Sequence, residues 1–299
     1  MQGIWVTGRG GFVAPHVAAC AHAAGGPEVL SSGLDVRDRD AVAAFVRDSQ
    51  PQAIIHLAAQ SHVPASFEDP RATFEVNLLG TLSLLQGCRD AGFSGRFLFV
   101  SSGDVYGLFD PSQFPVTETC PAKPRNPYAV SKLAAEALCW QWGETEGLDV
   151  VIARPFNHIG PGQSARFVVA DFARQVVEIR KGQRAAVLHV GDVDVTRDFC
   201  DVRDVAGAYF ALLARGRRGE TYNVCSGVER TVRSVIERLL SIAGVQADVV
   251  QETARLRRAE QRRVQADCGR LMTDTGWRPS IEFDRTLADI LEYWEAVIR

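Results

Sequence analysis

Tyr128 and Lys132 stand four residues apart in the run Asn126-Pro127-Tyr128-Ala129-Val130-Ser131-Lys132. That spacing puts both side chains on one face of a helix. A free tyrosine has a pKa of about 10 and is a poor acid–base catalyst near neutrality. A lysine cation beside it stabilises the phenolate and lowers that pKa, which tunes the phenol for proton transfer. Ser102 comes just after an apolar run at 96–100, where a strand would end. The carboxyl edge of an open α/β sheet is where such folds bind ligands. A hydroxyl there can hold the substrate oxygen that gains or loses the proton. Ser102, Tyr128 and Lys132 are therefore the expected catalytic set.

A second constellation is Thr7-Gly8-Arg9-Gly10-Gly11-Phe12-Val13-Ala14. Gly8 permits a tight turn, Gly11 lets the backbone approach a pyrophosphate, and the small Ala14 allows close packing of helix on strand. The free N–H groups of the helix that follows favour an anion. Its place between the first strand and the first helix turns a weak glycine signal into a dinucleotide site. Sites for NAD usually carry an acid after the second strand, to bond the ribose 2′-hydroxyl. Here Ser31, Ser32 and Gly33 come first, with no carboxylate before Asp35. Arg9, inside the loop, would face a 2′-phosphate. The expectation is NADP(H), with NAD(H) as the alternative and a solvated surface arginine as the other reading of Arg9.

These groups need a frame to hold them. Short apolar runs at 4–7, 28–30, 53–57, 96–100 and 150–153 alternate with helical patterns at 11–24, 41–48, 73–91 and 127–146. Alternation of this kind predicts an α/β fold, a Rossmann-type doubly wound parallel sheet with both faces covered. Asn126 is a helix N-cap, with Pro127 at the first helical position. After Arg154 the pattern loosens, a strand returns near 221–225, and helices are expected at 231–243 and 284–297. We divide the chain into a dinucleotide-binding domain at 1–155, with a returning segment about 195–225, and a smaller substrate-binding subdomain at 156–194 and 226–299.

Composition narrows the partners. The chain has 299 residues, a net charge of -3, and 46% hydrophobic against 23% charged residues. A charge this small gives no reason to expect nucleic acid or anionic membrane. The stretch 255–263 holds five arginines and one glutamate. Without stacking aromatics it reads as a solvated face with one or two phosphate-contacting arginines. The seven cysteines form no C-x-x-C pair, so no metal and no disulfide framework are expected. A reducing cytoplasm fits, as does the lack of a basic leader or of an apolar run long enough to span a bilayer. His56, ending an apolar run, is expected to be a satisfied packing histidine. His158, beside Asn157, stays open between packing and ligand contact. Asn77 is a candidate to bond backbone near the catalytic strand.

Taken together, these segments resemble the extended short-chain dehydrogenases that act on nucleotide-diphosphate sugars. The resemblance runs through T-G-x-x-G-F-V at 7–13, H-L-A-A at 56–59, N-x-x-G-T at 77–81, S-S-G-D-V-Y-G at 101–107 and N-P-Y-A-V-S-K at 126–132. It continues in R-P-F-N-H-I-G-P-G-Q at 154–163, R-D-F-C-D-V-R-D-V at 197–205, Y-N-V-C-S-G at 222–227 and T-G-W-R-P at 275–279. It implies cofactor contacts from Gly8, Gly11, Phe12, Val13, Asp35, Val36, Leu57, Ala58 and Ala59, together with Tyr128 and Lys132. It implies sugar-nucleotide contacts from Ser102, Asp104, Tyr128, Asn157, Arg197, Arg257 and Glu260, the arginines suiting phosphate. It also implies a homodimer formed through the helices at 73–91 and 127–146.

Within the family, the segment from Arg154 to Gly227 looks most like the branch that reduces the C4 keto group of a GDP-linked 4-keto-6-deoxymannose to GDP-D-rhamnose. The family's dehydratases resemble T-D-E or T-S-E where this chain has Ser102-Gly103-Asp104. They use a glutamate base, and Asp104 is one methylene short while Gly103 supplies no acid. Reductases that also epimerise use a cysteine here, and 101–107 has none. A 4-epimerase, a 4,6-dehydratase and a non-catalytic cofactor-binding scaffold or sensor remain the competing readings.

Overall fold

The structure is a computed structural model that describes residues 3–252, 254 and 261–299. The first half runs β1 (Ile4–Thr7), α1 (Val13–Ala23), β2 (Val29–Ser31), α2 (Arg39–Ser49), β3 (Ala53–His56), α3 (Val63–Glu68), α4 (Pro70–Phe74), α5 (Gly80–Asp90), β4 (Arg96–Val100), α6 (Pro127–Thr145) and β5 (Asp149–Pro155). The second half adds β6 (Asn157–Ile159), α7 (Val168–Arg180), β7 (Val187–Val190), β8 (Thr196–Asp201), α8 (Val202–Arg215) and β9 (Thr221–Val224). It continues with β10 (Glu229–Thr231), α9 (Val232–Ala243), β11 (Asp248–Gln251), α10 (Gly269–Thr275) and α11 (Phe283–Val297).

Six strands form one sheet in the order β2-β1-β3-β4-β5-β9, and every pairing in it is parallel. The expected α/β, doubly wound architecture is what forms. Successive residues of a strand face opposite ways, and both faces here are apolar. Trp5, Ile54, Phe97, Phe99 and Ile152 pack under Val42, Val46, Leu84 and Ala135. Val6, Ile55, Leu98, Val151 and Tyr222 pack under Val17, Val205 and Tyr209 on the other side. The chain leaves β1 for β2 on one side and then crosses to β3 on the other. A reversal of this kind opens a crevice beyond the carboxyl ends of β1 and β3.

A third apolar cluster, around Phe172, Val176, Leu188, Phe199, Ile236 and Leu287, lies among α7, β7, β8, α9 and α11. Beside it β10, β8 and β6 form a three-stranded sheet, and β11 pairs with β7. Strand β8 thus belongs to the smaller sheet, whereas β9 returns to the large one. Among the described residues, no helix is long and apolar enough to cross a membrane.

One element departs from the sequence pattern. The helix expected over 73–91 starts at Pro70, because Asp69 accepts a bond from the Ala72 N–H and sets the N-cap earlier. It also contains a π-helical turn at Glu75–Leu79. That turn carries Asn77, which is 1% exposed.

Candidate active site and dinucleotide cleft

The glycine loop is held from beneath by one hydroxyl. Thr7 Oγ1 accepts bonds from the N–H groups of Leu57 and Ala58, each at 3.1 Å, which ties the ends of β1 and β3 together. Gly8 has φ +72°, and a Cβ there would stand 2.8 Å from the Ala58 nitrogen. Only glycine fits. The Gly11 N–H closes the turn on the Gly8 carbonyl at 2.8 Å, and Ala14 is buried in the core. The Phe12 ring stacks on His158 with centroids 6.1 Å apart and meets His16 edge-on at 5.3 Å. Val13 is half-buried at the start of α1, while Leu57, Ala58 and Ala59 line the mouth of β3, also half-buried.

Beyond the loop lies a cleft of about 510 Å³ whose walls include Gly8, Arg9, Ser32, Asp35, Arg37 and Ala58. Val36 lines it and is otherwise packed in the core. Arg37 escaped the sequence reading. It grips Asp35 through Nε at 2.9 Å and Nη2 at 2.5 Å, and that hydrogen bonding holds the Asp35 carboxyl below the usual carboxylate range. Two arginines against one carboxylate leave the cleft net positive, with the Ser32 hydroxyl beside them. A close-approach glycine loop opening into such a cleft fits a dinucleotide that carries an extra phosphate.

The second half of the site stands at the ends of β4 and α6. Ser102 has an extended backbone and caps the short 3₁₀ turn Gly103–Tyr106, its Oγ accepting from the Asp104 N–H at 3.1 Å. Asn126 caps α6 by accepting from the Ala129 N–H at 2.7 Å, so Tyr128 sits in the first turn. Its ring is buried, and its hydroxyl is near enough to Ser102 for that hydroxyl to act on its titration. Lys132 is 3% exposed. Its Nζ donates to the Val100 carbonyl at 2.8 Å and lies 5.1 Å from the Phe99 ring centroid.

The electrostatics correct one expectation. Burial pushes the Tyr128 phenol up from its ordinary value, the Asp104 charge adds to this, and the Ser102 hydroxyl only opposes it. The Lys132 ammonium, which donates to the Val100 carbonyl, does not outweigh that burial. Burial lowers Lys132 itself to about 8, against the pull of Cys139 and Glu136. Tyr128 is therefore held as a protonated phenol, the form that can donate.

A buried polar chain joins the two halves. Asn77 Nδ2 donates to Ser131 Oγ at 2.9 Å and to the Gln60 carbonyl at 3.0 Å, and Ser131 Oγ donates to the Tyr128 carbonyl at 2.7 Å. His56 is fully buried between Thr7 and Thr81, at 2.8 and 3.0 Å. The acceptor positions of Thr7 are filled, so its O–H donates to His56 Nδ1. Thr81 donates to the Asn77 carbonyl, so it accepts from His56 Nε2–H. The network assigns one neutral tautomer, and burial, with Lys132 adding, lowers the imidazole to about 3. The folded pKa lies below the unfolded value of about 6.5, so the unfolded chain takes up the proton first. The stability from His56 is full above about pH 6.5 and falls by about 1.4 kcal/mol per unit below it. Denaturation between pH 7 and 4.5 should show a shallower slope in His56→Asn than in the parent, and equal slopes would contradict the assignment.

The sugar side is less closely gathered. Asn157 is exposed at the start of β6, and Asp104 is exposed on the rim of the 3₁₀ turn. Arg197 Nη1 donates to the carbonyls of Thr196 and Gln261, each at 2.7 Å. Arg257 and Glu260 lie outside the described residues. His158 Nδ1 donates to the Phe156 carbonyl at 3.0 Å, so this histidine fixes its loop. Arg262 pairs with Asp192 and Arg263 with Glu229, as on a solvated face. At Gly103, a Cβ would stand 2.9 Å from the Phe156 ring, so a side chain enters there only if the ring moves.

A parallel sheet with a glycine loop at its switch point, and a Ser-Tyr-Lys set at the ends of β4 and α6, define a dinucleotide-dependent enzyme of the short-chain dehydrogenase type. The chain belongs to the family described as GDP-mannose 4,6 dehydratase, whose sequence model matches residues 17–290. It is 50% identical over 301 residues to the GDP-6-deoxy-D-mannose reductase of Pseudomonas aeruginosa, covering 100% of this chain and 99% of that one. A dTDP-glucose 4,6-dehydratase of Xanthomonas campestris is 31% identical over 280 residues, 87% of this chain and 77% of that one. Among solved structures, RMD from Pseudomonas aeruginosa complexed with NADPH superposes with a TM-score of 0.94 at 48% identity, covering 100% of both chains. The UDP-glucose 4-epimerase of Thermus thermophilus in complex with NAD superposes at 0.86 with 31% identity, over 99% of both.

Proposed function

We propose that this chain is a reductase that uses NADPH to convert GDP-4-keto-6-deoxy-D-mannose to GDP-6-deoxy-D-mannose, which is GDP-D-rhamnose. The observation that carries the reading is the likeness along the whole chain to the Pseudomonas aeruginosa reductase. The turn after β4 agrees with it: Gly103 has no room for a side chain, and Asp104 is too short for the glutamate base of an elimination. NADPH, when bound, supplies the hydride that C4 of the sugar receives. Tyr128 gives its proton to the C4 oxygen, Ser102 holds that oxygen, and Lys132 offsets the charge left on the phenolate. The test is to incubate the protein with NADPH and GDP-, dTDP- and UDP-linked 4-keto-6-deoxy sugars and follow absorbance and product. Cofactor oxidation with the GDP sugar alone is expected. Turnover without net oxidation would make the chain an epimerase.

Arg9, Ser32 and Arg37 are the residues we assign to the 2′-phosphate. A charge-assisted hydrogen bond contributes about 1.5–3 kcal/mol, so Arg37→Ala should weaken NADPH binding by at least about ten-fold. The same change frees Asp35 to repel the phosphate and to accept from a ribose hydroxyl, so NADH binding should hold or improve. Direct titration of both cofactors by fluorescence reads this. An equal loss for both would remove Arg37 from the assignment.

A separate smaller unit in the second half is supported by the apolar cluster around α7, α9 and α11, but Val264, Ala266, Cys268 and Leu271, expected in the same subdomain, pack in the cluster of the large sheet instead. A homodimer through α4–α5 and α6 is supported by exposed apolar side chains on both: Leu79 at 51%, Val130 at 39% and Trp140 at 56%. Trp140→Glu should shift the mass in light scattering from dimer to monomer. A cytoplasmic location is supported by seven cysteines that all carry free thiols.

A further inference from the structure

Glu136 and Arg154 touch neither the cleft nor the reacting hydroxyls, yet they join the two pieces of backbone that carry them. Glu136 lies on α6 one turn beyond Lys132. Arg154 lies on β5 and grips it with a two-pronged contact, Nε to Oε1 at 2.9 Å and Nη2 to Oε2 at 2.6 Å. The Arg154 and Glu136 side chains are only 10% and 6% exposed, respectively. The guanidinium also lies over the ring of Tyr106, 4.7 Å from its centroid. Tyr106 belongs to the 3₁₀ turn that Ser102 caps. Phe156 stacks on Tyr106, ring centroids 6.1 Å apart, and presses on Gly103 of the same turn. The Tyr106 hydroxyl in turn donates to Asn223 Oδ1 at 2.7 Å. Arg154 is thus bound on one side to the helix of Tyr128 and Lys132, and on the other it lies against the turn of Ser102.

We infer that Arg154, anchored by Glu136, is a positioning residue that sets the separation of Ser102 from Tyr128. The inference rests on the roles given to those two hydroxyls above. Stability alone does not account for the pair, because a buried ion pair replaced by apolar residues of similar size is often neutral or stabilising. What an apolar pair cannot reproduce is a planar fork that holds a carboxylate edge-on while stacking on a ring. Lysine cannot either, since its ammonium is a point donor.

The test compares the parent with Arg154→Lys and with the double variant Arg154→Met/Glu136→Leu. The readouts are kcat, KM for the sugar, NADPH affinity by titration, and Tm. A displacement of about 1 Å in a reacting group costs on the order of 100-fold in rate. The double variant should fold with a Tm near the parent, bind NADPH unchanged, and lose about ten-fold to 100-fold in kcat. Arg154→Lys should lose kcat in the same direction, with NADPH affinity intact. Parental kcat in either variant overturns the inference. So does a loss of kcat matched by a proportionate loss of Tm and NADPH affinity, since that marks a purely structural role. If the double variant does not fold, Arg154→Lys decides by the same readings. Tyr128→Phe serves as the reference: near-parental turnover there overturns the site itself, whereas an inactive Tyr128→Phe beside a parental double variant overturns only the positioning role.

Discussion

Tyr128→Phe is expected to lower kcat by about 100-fold to 10,000-fold, the span of one positioned acid–base group, while leaving NADPH affinity and Tm close to the parent. The ring is buried in the first turn of α6 and keeps its packing as phenylalanine. Only the hydroxyl and its proton are lost. The pH dependence follows from the two shifts in the site. Burial raises the Tyr128 phenol, so it stays loaded with its proton through neutrality. Lys132 is lowered to about 8, so its cation is lost as pH rises through that value. Turnover should therefore be level near neutrality and fall on the alkaline side. A flat profile to pH 9.5, or a Tyr128→Phe variant that turns over normally, would refute the assignment.

Gly103→Asp is expected to lose reductase turnover without gaining elimination. It places an acid where dehydratases of the family resemble having one, and so appears on paper to be a conversion. The obstacle is Phe156. A Cβ at 103 stands 2.9 Å from two ring atoms, and these belong to a ring that is 6% exposed and stacked on Tyr106. Overpacking of this kind costs about 1–3 kcal/mol. It is relieved either by moving the ring or by moving the turn, and the turn carries Ser102. A shift of about 1 Å there is worth about 100-fold in rate. Tm should fall by several degrees at about 1–3 kcal/mol for a chain this size, and kcat should fall with it. Unsaturated product, or parental kcat and Tm, would show that the site tolerates a side chain at this position.

Local signals carried the fold a long way. Alternation of apolar runs with helical spacing gave the parallel sheet. Asn126 and Pro127 announced the start of α6, and the glycine loop declared its strand and helix. The position of His56 at the end of an apolar run matched a histidine with both ring nitrogens satisfied. What stayed hidden depends on residues far apart in the chain. Arg37 lies two residues from Asp35, but its role appears only when β1 and β2 bring Arg9 and Ser32 beside it. The need for glycine at 103 comes from Phe156, on the connection after β5. The direction of the Tyr128 shift depends on how deeply α6 is buried. The π-helical turn at Glu75–Leu79 has no mark in apolar spacing. It shows only as a widened turn that aims Asn77 at Ser131.

The pairing of β5 with β9 has a consequence during synthesis. Ile152 and Ala153 are matched by Thr221 and Tyr222, which leave the ribosome several seconds later at about 5–20 residues per second. Throughout that interval β5, with its Val150-Val151-Ile152 run, presents an unpaired edge that a second nascent chain can join. Chains that terminate before β9 keep that edge open, and they should accumulate as aggregates even though the glycine loop and the Ser-Tyr-Lys set are already complete.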